Sequence, residues 1–207
     1  MTKNYLIISL LTTCLISLGC GKETKAATHS SSKSSQPKHT LYLDWHNKCL
    51  TKKTGDIDAH IAKYEAQLTA NNNDQLARVY LGSACALRAK ASFWGPTKLK
   101  YLKRGQKLMD QAVKADPQNP RVRMVRAIGS YKVPKRFNRR PIAVADFEFL
   151  IPIASTKSSS LNTNERQAIL YYAWLTFKEE GHKDAVKLKR HCHQLAPTSK
   201  YGKLTAE

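Results

Sequence analysis

The chain has 207 residues, and its 35 Lys and Arg against 15 Asp and Glu give a formal charge of +20. This length suffices for one medium domain with an ordinary hydrophobic core after an N-terminal signal and a tether are set aside. The charge does not fix the fold, but it favours anionic partners such as phospholipid head groups, lipopolysaccharide, other polyanions or acidic proteins.

A short apolar run covers residues 5–20, with Lys3 before it and a polar, Ser-rich stretch after it. Such a run is typical of a secretory signal, because it is too short for a spanning helix. The pair Gly19-Cys20 resembles the end of a bacterial lipobox, with Ser17 where that motif usually has Leu. The resemblance implies cleavage before Cys20 and a diacylglyceryl anchor on its thiol. An ordinary secretory signal and an uncleaved anchor are the alternatives.

These features divide the chain into a signal peptide over residues 1–19, a lipidated tether over residues 20–40 and one domain over residues 41–207. The tether is Ser-rich without apolar periodicity, as in flexible spacers. Acylation of Cys20 leaves an odd number of thiols, so a disulfide framework is not implied. One bridge with one spare thiol remains open. The remaining thiols are Cys49, Cys85 and Cys192.

Helical periodicity dominates beyond residue 55, whereas residues 41–45 fit either a short extended piece or the start of a helix. Cap residues, Gly and Pro mark the helix ends, and Asn162 with Glu165 predicts a capping box. Basic residues fill a predicted loop from Pro134 to Arg140, and Pro152 opens a second predicted loop. The predicted helices span residues 57–70, 75–93, 98–115, 121–131, 142–150, 163–180 and 183–195.

In two places a small residue precedes a Pro by five positions and another precedes it by twelve: Gly105, Ala112 and Pro117, and then Ala185, Cys192 and Pro197. These spacings resemble the tetratricopeptide repeat, in which small residues let two antiparallel helices approach closely. The resemblance covers about residues 57–201 and implies an all-α stack of antiparallel helix pairs, with about seven helices. Leu150 replaces a small residue in the middle repeat, and no Pro follows it at the expected spacing. An unrelated helical bundle is the alternative.

The run from Gly105 to Phe147, with Pro117, Arg126 and Pro134 within it, resembles a group of repeat-containing bacterial exported proteins. In tetratricopeptide repeats the first helices line a concave surface that holds a peptide or a protein. The resemblance therefore implies partner-binding roles for Arg78, Arg88, Arg123 and Arg126. For Arg126 an internal ion pair is the alternative.

Fourteen Lys and Arg lie between Lys98 and Arg140, with only Asp110 and Asp116 against them. Arg side chains suit bidentate contact with phosphate or carboxylate groups. One interpretation of this basic stretch is a loop that binds anions. The alternative is the solvated face of a basic protein. The candidate anion-binding residues are Lys132, Lys135, Arg136, Arg139 and Arg140.

Metal and catalytic sites find little support in the sequence. The segments His191-Cys192-His193 and His46 to Cys49 hold zinc-ligand types, but residues 191 and 193 diverge by about 200° on a helix. There is no Gly-x-Ser-x-Gly elbow and no Gly-rich phosphate-binding loop. We therefore expect no metal, no cofactor and no catalytic residues.

The aromatic residues divide into core and loop candidates. Trp174 and the small Cys85 are expected in the core. Phe93 and Trp94 either form an exposed hot spot or fold back over the core, and the sequence favours folding back.

Taken together, the sequence predicts a membrane-anchored, non-enzymatic scaffold of the bacterial cell envelope that binds a protein or peptide. The alternative is a basic envelope protein that binds anionic lipid, lipopolysaccharide or another polyanion. A third hypothesis is a non-catalytic subunit of a transport or assembly machine. Nucleic acid is not expected as a partner, because the protein is predicted to be exported.

Overall fold

A computed structural model describes residues 37–51 and 53–206, and within them the chain is all-α with no strand. The α-helices of this part are α1 Lys38–Lys48, α2 Thr54–Ala70, α3 Gln75–Ala91, α4 Gly95–Ala115, α5 Pro120–Lys132, α6 Arg140–Ser155, α7 Thr163–Glu179, α8 Ala185–Leu195 and α9 Lys200–Leu204. Short 3₁₀ turns lie at Cys49–Thr51 and Lys135–Phe137. The predicted signal, Cys20 and the tether up to residue 36 lie outside the described residues.

Side-chain caps start four of the helices, because an oxygen acceptor there satisfies N–H groups that have no partner inside the helix. The capping box predicted at Asn162 is confirmed. The side chain of Asn162 accepts a hydrogen bond from Glu165 N at 2.9 Å, and the carboxylate of Glu165 accepts one from Asn162 N at 2.8 Å. Asp74, Asn119 and Ser199 cap α3, α5 and α9 in the same manner.

Consecutive helices pack in antiparallel pairs, and the pair α3–α4 makes the closest approach. Gly82 and Gly105 face each other there, and a Cβ built on Gly105 would lie 2.5 Å from the carbonyl oxygen of Gly82. A Cβ on Gly82 would lie 2.8 Å from the oxygen of Gly105 and 2.7 Å from Cγ of Met109. The two helices can approach this closely only because neither position carries a side chain.

Two hydrophobic clusters form the core. The first lies among α1–α4 and contains Tyr42, Tyr64 and Tyr80, with the rings of Tyr64 and Tyr80 stacked 6.3 Å apart. The second lies among α5–α8 and is built around Phe147 and Ile169. Helix α5 contributes to both clusters, because its neighbouring side chains point to opposite sides.

Helix α1 resolves the open choice for residues 41–45, which are helical. The side chain of Tyr42 is fully buried, and its hydroxyl donates to Asp74 Oδ2 at 2.9 Å. His39 Nε2 lies 2.8 Å from Glu165 Oε1. The last three residues of the predicted tether therefore belong to the folded part, which forms one compact unit over residues 36–207. Both clusters are built within this unit, so residues 36–207 contain the whole of the described core.

Some predicted ends were wrong. Helix α2 begins at Thr54, and α6 continues through Pro152 to Ser155, although the sequence predicted an end at Leu150. Burial of Ala154 against the second cluster and a hydrogen bond of 2.6 Å from Arg166 Nε to the oxygen of Ala154 hold this last turn. Helix α9 was not predicted.

The turn between α3 and α4 corrects the expectation for Trp94. Phe93 is 99% exposed and Trp94 is 66% exposed, so neither folds over the core. Only residues 92–94 join the two tightly packed helices, which leaves the chain too short to fold these side chains inward. Trp174 is partly buried beside the second cluster, and Cys85 is fully buried as expected.

Candidate functional site

The predicted partner-binding residues of α3 are both engaged inside the protein. Arg78 Nε donates to Gln75 Oε1 at 3.0 Å, and its Nη2 donates to Asn72 Oδ1 at 2.8 Å. Arg88 Nε donates to Asp58 Oδ1 at 2.8 Å and so joins the end of α3 to the start of α2. Arg88 is therefore paired with a carboxylate, whereas Arg78 has only neutral partners among the described residues, and partner binding by Arg78 stays a prediction.

The two candidates on α5 converge on one buried carboxylate. Asp146 of α6 has no exposed side-chain surface and accepts from Arg123 Nη1 at 2.8 Å. Arg126 donates to both oxygens of Asp146, each at 2.8 Å. Burial lowers the pKa of Arg126, but the hydrogen bond to Asp146 and the charges of Asp146 and Asp110 raise it further, so the net shift is upward. This geometry agrees with internal pairing of Arg126, and it shows that Arg123, the other partner-binding candidate on α5, is paired with Asp146 as well.

The predicted anion-binding loop is also largely paired. Arg139 donates to the two oxygens of Asp110 at 2.9 and 2.7 Å and is itself buried. Arg140 donates to Glu179 Oε2 at 2.9 Å, and Lys135 Nζ lies 3.3 Å from Glu180 Oε1. Three of the five candidate anion-binding residues are thus paired with carboxylates of the protein itself.

Two cations of the loop have no carboxylate partner within the described part of the chain. Lys132 Nζ lies 4.8 Å from the centre of the Tyr172 ring. Arg136 lies 5.1 Å from the centre of the neighbouring Phe137 ring, and both cations are exposed. Anion binding by these two residues stays a prediction.

A more concentrated group of cations lies along one face of α4. Lys103, Lys107 and Lys114 border an open groove of about 440 Å³, and Arg139 closes it from the start of α6. Steps of four and seven residues bring the three lysines within about 40° of one another around the helix. Asp110, Gln106 and Gln111 complete the lining.

The groove has an excess of positive charge. Its one carboxylate, Asp110, accepts from Arg139 and lies 3.4 Å from Arg126 Nη1, so it is already neutralised. Lys103, Lys107 and Lys114 are exposed, and none forms an ion pair with the residues that the structure describes. Such a surface attracts carboxylate or phosphate groups, and Lys side chains can adjust to either.

Unused donors lie in the wall of this groove. Arg139 Nε and Gln106 Nε2 are buried and have no hydrogen-bond partner among the described residues. A buried donor without a partner is unfavourable, by about 1–3 kcal/mol. Sequence reasoning counted Lys103 and Lys107 only as part of a basic stretch, although their spacing on α4 carried the signal.

The cysteines in the described part of the chain are buried and weakly reactive. Burial raises the pKa of Cys49 and of Cys85 to about 11, and it also raises the pKa of Cys192. All three are free thiols in the structure. Because the thiolate is the nucleophile, these protonated and buried thiols are not reactive groups at neutral pH.

The histidines near Cys192 point to different elements. His191 Nδ1 lies 3.4 Å from Ser155 Oγ, and His193 Nδ1 lies 3.0 Å from the oxygen of Gly202. No group of three or more His, Cys, Asp or Glu within residues 37–51 and 53–206 is placed to hold a metal ion. The same residues include no helix that is long and apolar enough to cross a membrane.

The groove on α4 is thus a basic surface, framed by two packed helix pairs, with spare donors for an anionic group. No protein family, no curated protein and no solved structure was found to match this chain.

Proposed function

We propose that this protein is a non-enzymatic, tetratricopeptide-like binding protein of the bacterial cell envelope. A lipid on Cys20 holds it at a membrane, and the α4 groove holds an acidic segment of a partner protein. The anchor rests on the lipobox resemblance, and the repeat assignment rests on the small-residue and Pro spacing together with the paired helices.

One observation carries the binding proposal: the α4 groove presents three lysines that have no carboxylate partner among the described residues, beside a carboxylate that is already paired. Other cations of this basic protein form internal ion pairs, as Arg126 and Arg139 illustrate. The lysines of the groove contribute no comparable contact to the fold. Their positions suit a series of carboxylates along an extended or helical partner segment.

The close packing of α3 on α4 makes the groove a fixed feature. The close contact of Gly82 with Gly105 holds α3 against α4 beneath the groove. The Arg139–Asp110 pair holds Arg139, which closes the groove, in place. A site on rigid helices loses less conformational entropy when a partner binds. The lysine side chains alone need to be ordered.

The same arrangement supports the non-enzymatic part of the proposal. The thiols of Cys49, Cys85 and Cys192 are buried, with raised pKa values. The groove offers cations and amides without a nucleophile beside them. Such a surface is suited to recognising a partner by its charge.

The test is a pull-down from solubilised bacterial envelopes with residues 36–207 as bait, at low and high salt. The segment starts at residue 36 so that it keeps α1 and the contact between His39 and Glu165. The test variant carries Lys103→Gln, Lys107→Gln and Lys114→Gln. The matched control carries Lys157→Gln, Lys200→Gln and Lys203→Gln, which remove the same charge from exposed positions elsewhere.

The proposal predicts one stoichiometric protein that binds the parent and the control but is lost from the test variant. Salt should weaken this binding, because exposed charges are screened. Equal capture by the test variant and the parent would exclude the groove. Capture of lipid or lipopolysaccharide alone would favour the alternative function, a basic envelope protein that binds a polyanion.

A further inference from the structure

The turn between α3 and α4 places two aromatic side chains in solvent. Phe93 is 99% exposed and Trp94 is 66% exposed. The turn itself is well held, because Ser92 Oγ donates to the oxygen of Arg88 at 2.8 Å and accepts from Arg88 Nη1 at 2.7 Å. The exposure is therefore a property of an ordered corner.

Other exposed apolar side chains gather at this corner. Among the described residues six large hydrophobic side chains are exposed, and four of them are Leu50, Phe93, Trp94 and Leu99. Leu50 borders a small cavity together with Leu87, Lys90 and Ala91, which places it against the end of α3. Single exposed hydrophobic residues are ordinary, whereas a cluster marks a surface that contacts something apolar.

Cations surround this apolar corner. Lys90, Lys98 and Lys100 are exposed, and none forms an ion pair with a described residue. Val133 packs against Ala89 and Leu102, which brings the loop that carries Arg136 to the same end of the helices.

The carboxylates at this end reduce the positive charge only in part. Asp58 is paired with Arg88, and Glu179 and Glu180 are paired with Arg140 and Lys135. Asp56, in the first turn of α2, is the exposed carboxylate that remains without a described partner. The net field around the aromatic pair is positive.

We propose that this corner docks on an anionic lipid bilayer, with Phe93 and Trp94 inserted at the boundary between head groups and acyl chains. Lys90, Lys98 and Lys100 then contact the lipid phosphates. Aromatic side chains favour this boundary, and Lys stems lie along apolar surface while their charges stay in water. Each cation near an anionic surface strengthens the binding.

The shape of the corner favours a bilayer over a protein pocket. The aromatic pair protrudes, and a Cβ built on the adjacent Gly95 would meet no atom within 4 Å. Protruding aromatic side chains with exposed Lys side chains around them suit an anionic bilayer, in which the rings enter the head-group boundary and the Lys side chains meet phosphates. The corner shares no residue with the lining of the α4 groove, so this inference does not rest on the proposed function.

The test uses residues 36–207, which lack Cys20, and vesicles of phosphatidylglycerol with phosphatidylethanolamine. Vesicles of phosphatidylcholine serve as the neutral comparison. Binding is measured by co-sedimentation, and insertion is measured by quenching of Trp fluorescence with brominated acyl chains. We expect binding to the anionic vesicles, much weaker binding to the neutral ones, and quenching on binding.

Three variants locate the contact. The double variant Phe93→Ala with Trp94→Ala should bind about tenfold more weakly or worse, because two aromatic side chains no longer leave water. The variant Trp94→Phe should still bind but lose most of the quenching. The double variant Val186→Ala with Leu204→Ala removes exposed apolar groups elsewhere and should bind like the parent.

Equal vesicle binding by the parent and the Phe93→Ala, Trp94→Ala variant would overturn the proposal. So would unchanged quenching in Trp94→Phe, because the inserted Trp would then be another residue. If these variants lost an envelope protein while they kept vesicle binding, the corner would be a protein contact and the lipid assignment would fail. Loss of the α4 groove lysines should leave Trp94 quenching in place, which separates this result from the pull-down.

Discussion

Arg126 clamps the carboxylate of Asp146 with two hydrogen bonds of 2.8 Å across the α5–α6 pair, and Asp146 has no exposed side-chain surface. Arg123 donates to the same carboxylate, so one buried anion holds two cations. A buried carboxylate is tolerated only with such partners.

Substitution Asp146→Ala should destabilise the protein strongly, by about 3–5 kcal/mol, because it leaves Arg123 and Arg126 partly buried without their shared partner. The free energy of unfolding, measured by urea denaturation of residues 36–207, checks this prediction. Glu148→Ala is the matched control, since Glu148 is exposed on the same helix. A loss below about 1 kcal/mol for Asp146→Ala would show that the clamp contributes little.

Substitution Gly105→Ala should also destabilise the protein, by about 1–3 kcal/mol or more, because its Cβ would lie 2.5 Å from the oxygen of Gly82. The helices α3 and α4 would have to separate. Thermal unfolding measures the effect. Gly55→Ala, where a Cβ meets no atom within 4 Å, should be neutral or slightly stabilising as a control. Equal melting temperatures for the two variants would contradict the close contact.

Acid should weaken the fold through His46. Burial lowers the pKa of His46 to about 4, whereas the same group has a pKa of 6.5 when it is not buried. The unfolded chain therefore takes up a proton first, so stability is complete above pH 6.5 and falls as the pH drops towards 4. The shift corresponds to about 3 kcal/mol over this range.

The variant His46→Gln should lose less stability between pH 7 and pH 4.5 than the parent. Urea denaturation midpoints at several pH values measure the difference. Parallel pH curves for the variant and the parent would show that His46 is not the group responsible.

The thiols should resist modification in the folded protein. Cys49, Cys85 and Cys192 are buried, and their raised pKa values keep them protonated. In residues 36–207 we expect slow labelling by Ellman's reagent at pH 8 and complete labelling of three thiols in urea. Fewer than three thiols in urea would reveal a disulfide, and rapid labelling without urea would show that a thiol is exposed.

The helices were predictable because their signals are local. Asn162 with Glu165 marks a capping box in any context, and the Gln75 and Ala115 ends were predicted at the right residues. The continuation of α6 beyond Pro152 was not predictable, because it depends on packing of Ala154 in the second cluster and on Arg166 reaching its carbonyl.

The candidate site was predictable only in part, because it too depends on contacts between residues that are distant in the sequence. The lysine spacing on α4 is visible in the sequence, but the pairing of Arg139 with Asp110 joins residues 29 positions apart. Counting charges in the sequence therefore overestimated how many cations at residues 132–140 lack a carboxylate partner within the protein. The exposure of Trp94 depended on how tightly α3 and α4 pack, which the sequence alone did not reveal.

Because helix α5 belongs to both hydrophobic clusters, the time at which it is synthesised decides when each cluster of a growing chain can form. Val122 and Val125 belong to the first cluster, so the core among α1–α4 is incomplete until α5 has left the ribosome. The same helix then presents Met124 and Ala127 as a surface on which the following helices can pack. The N-terminal half consequently depends on chain that is synthesised after it, and a molecule halted before α5 would expose apolar surface of the first cluster.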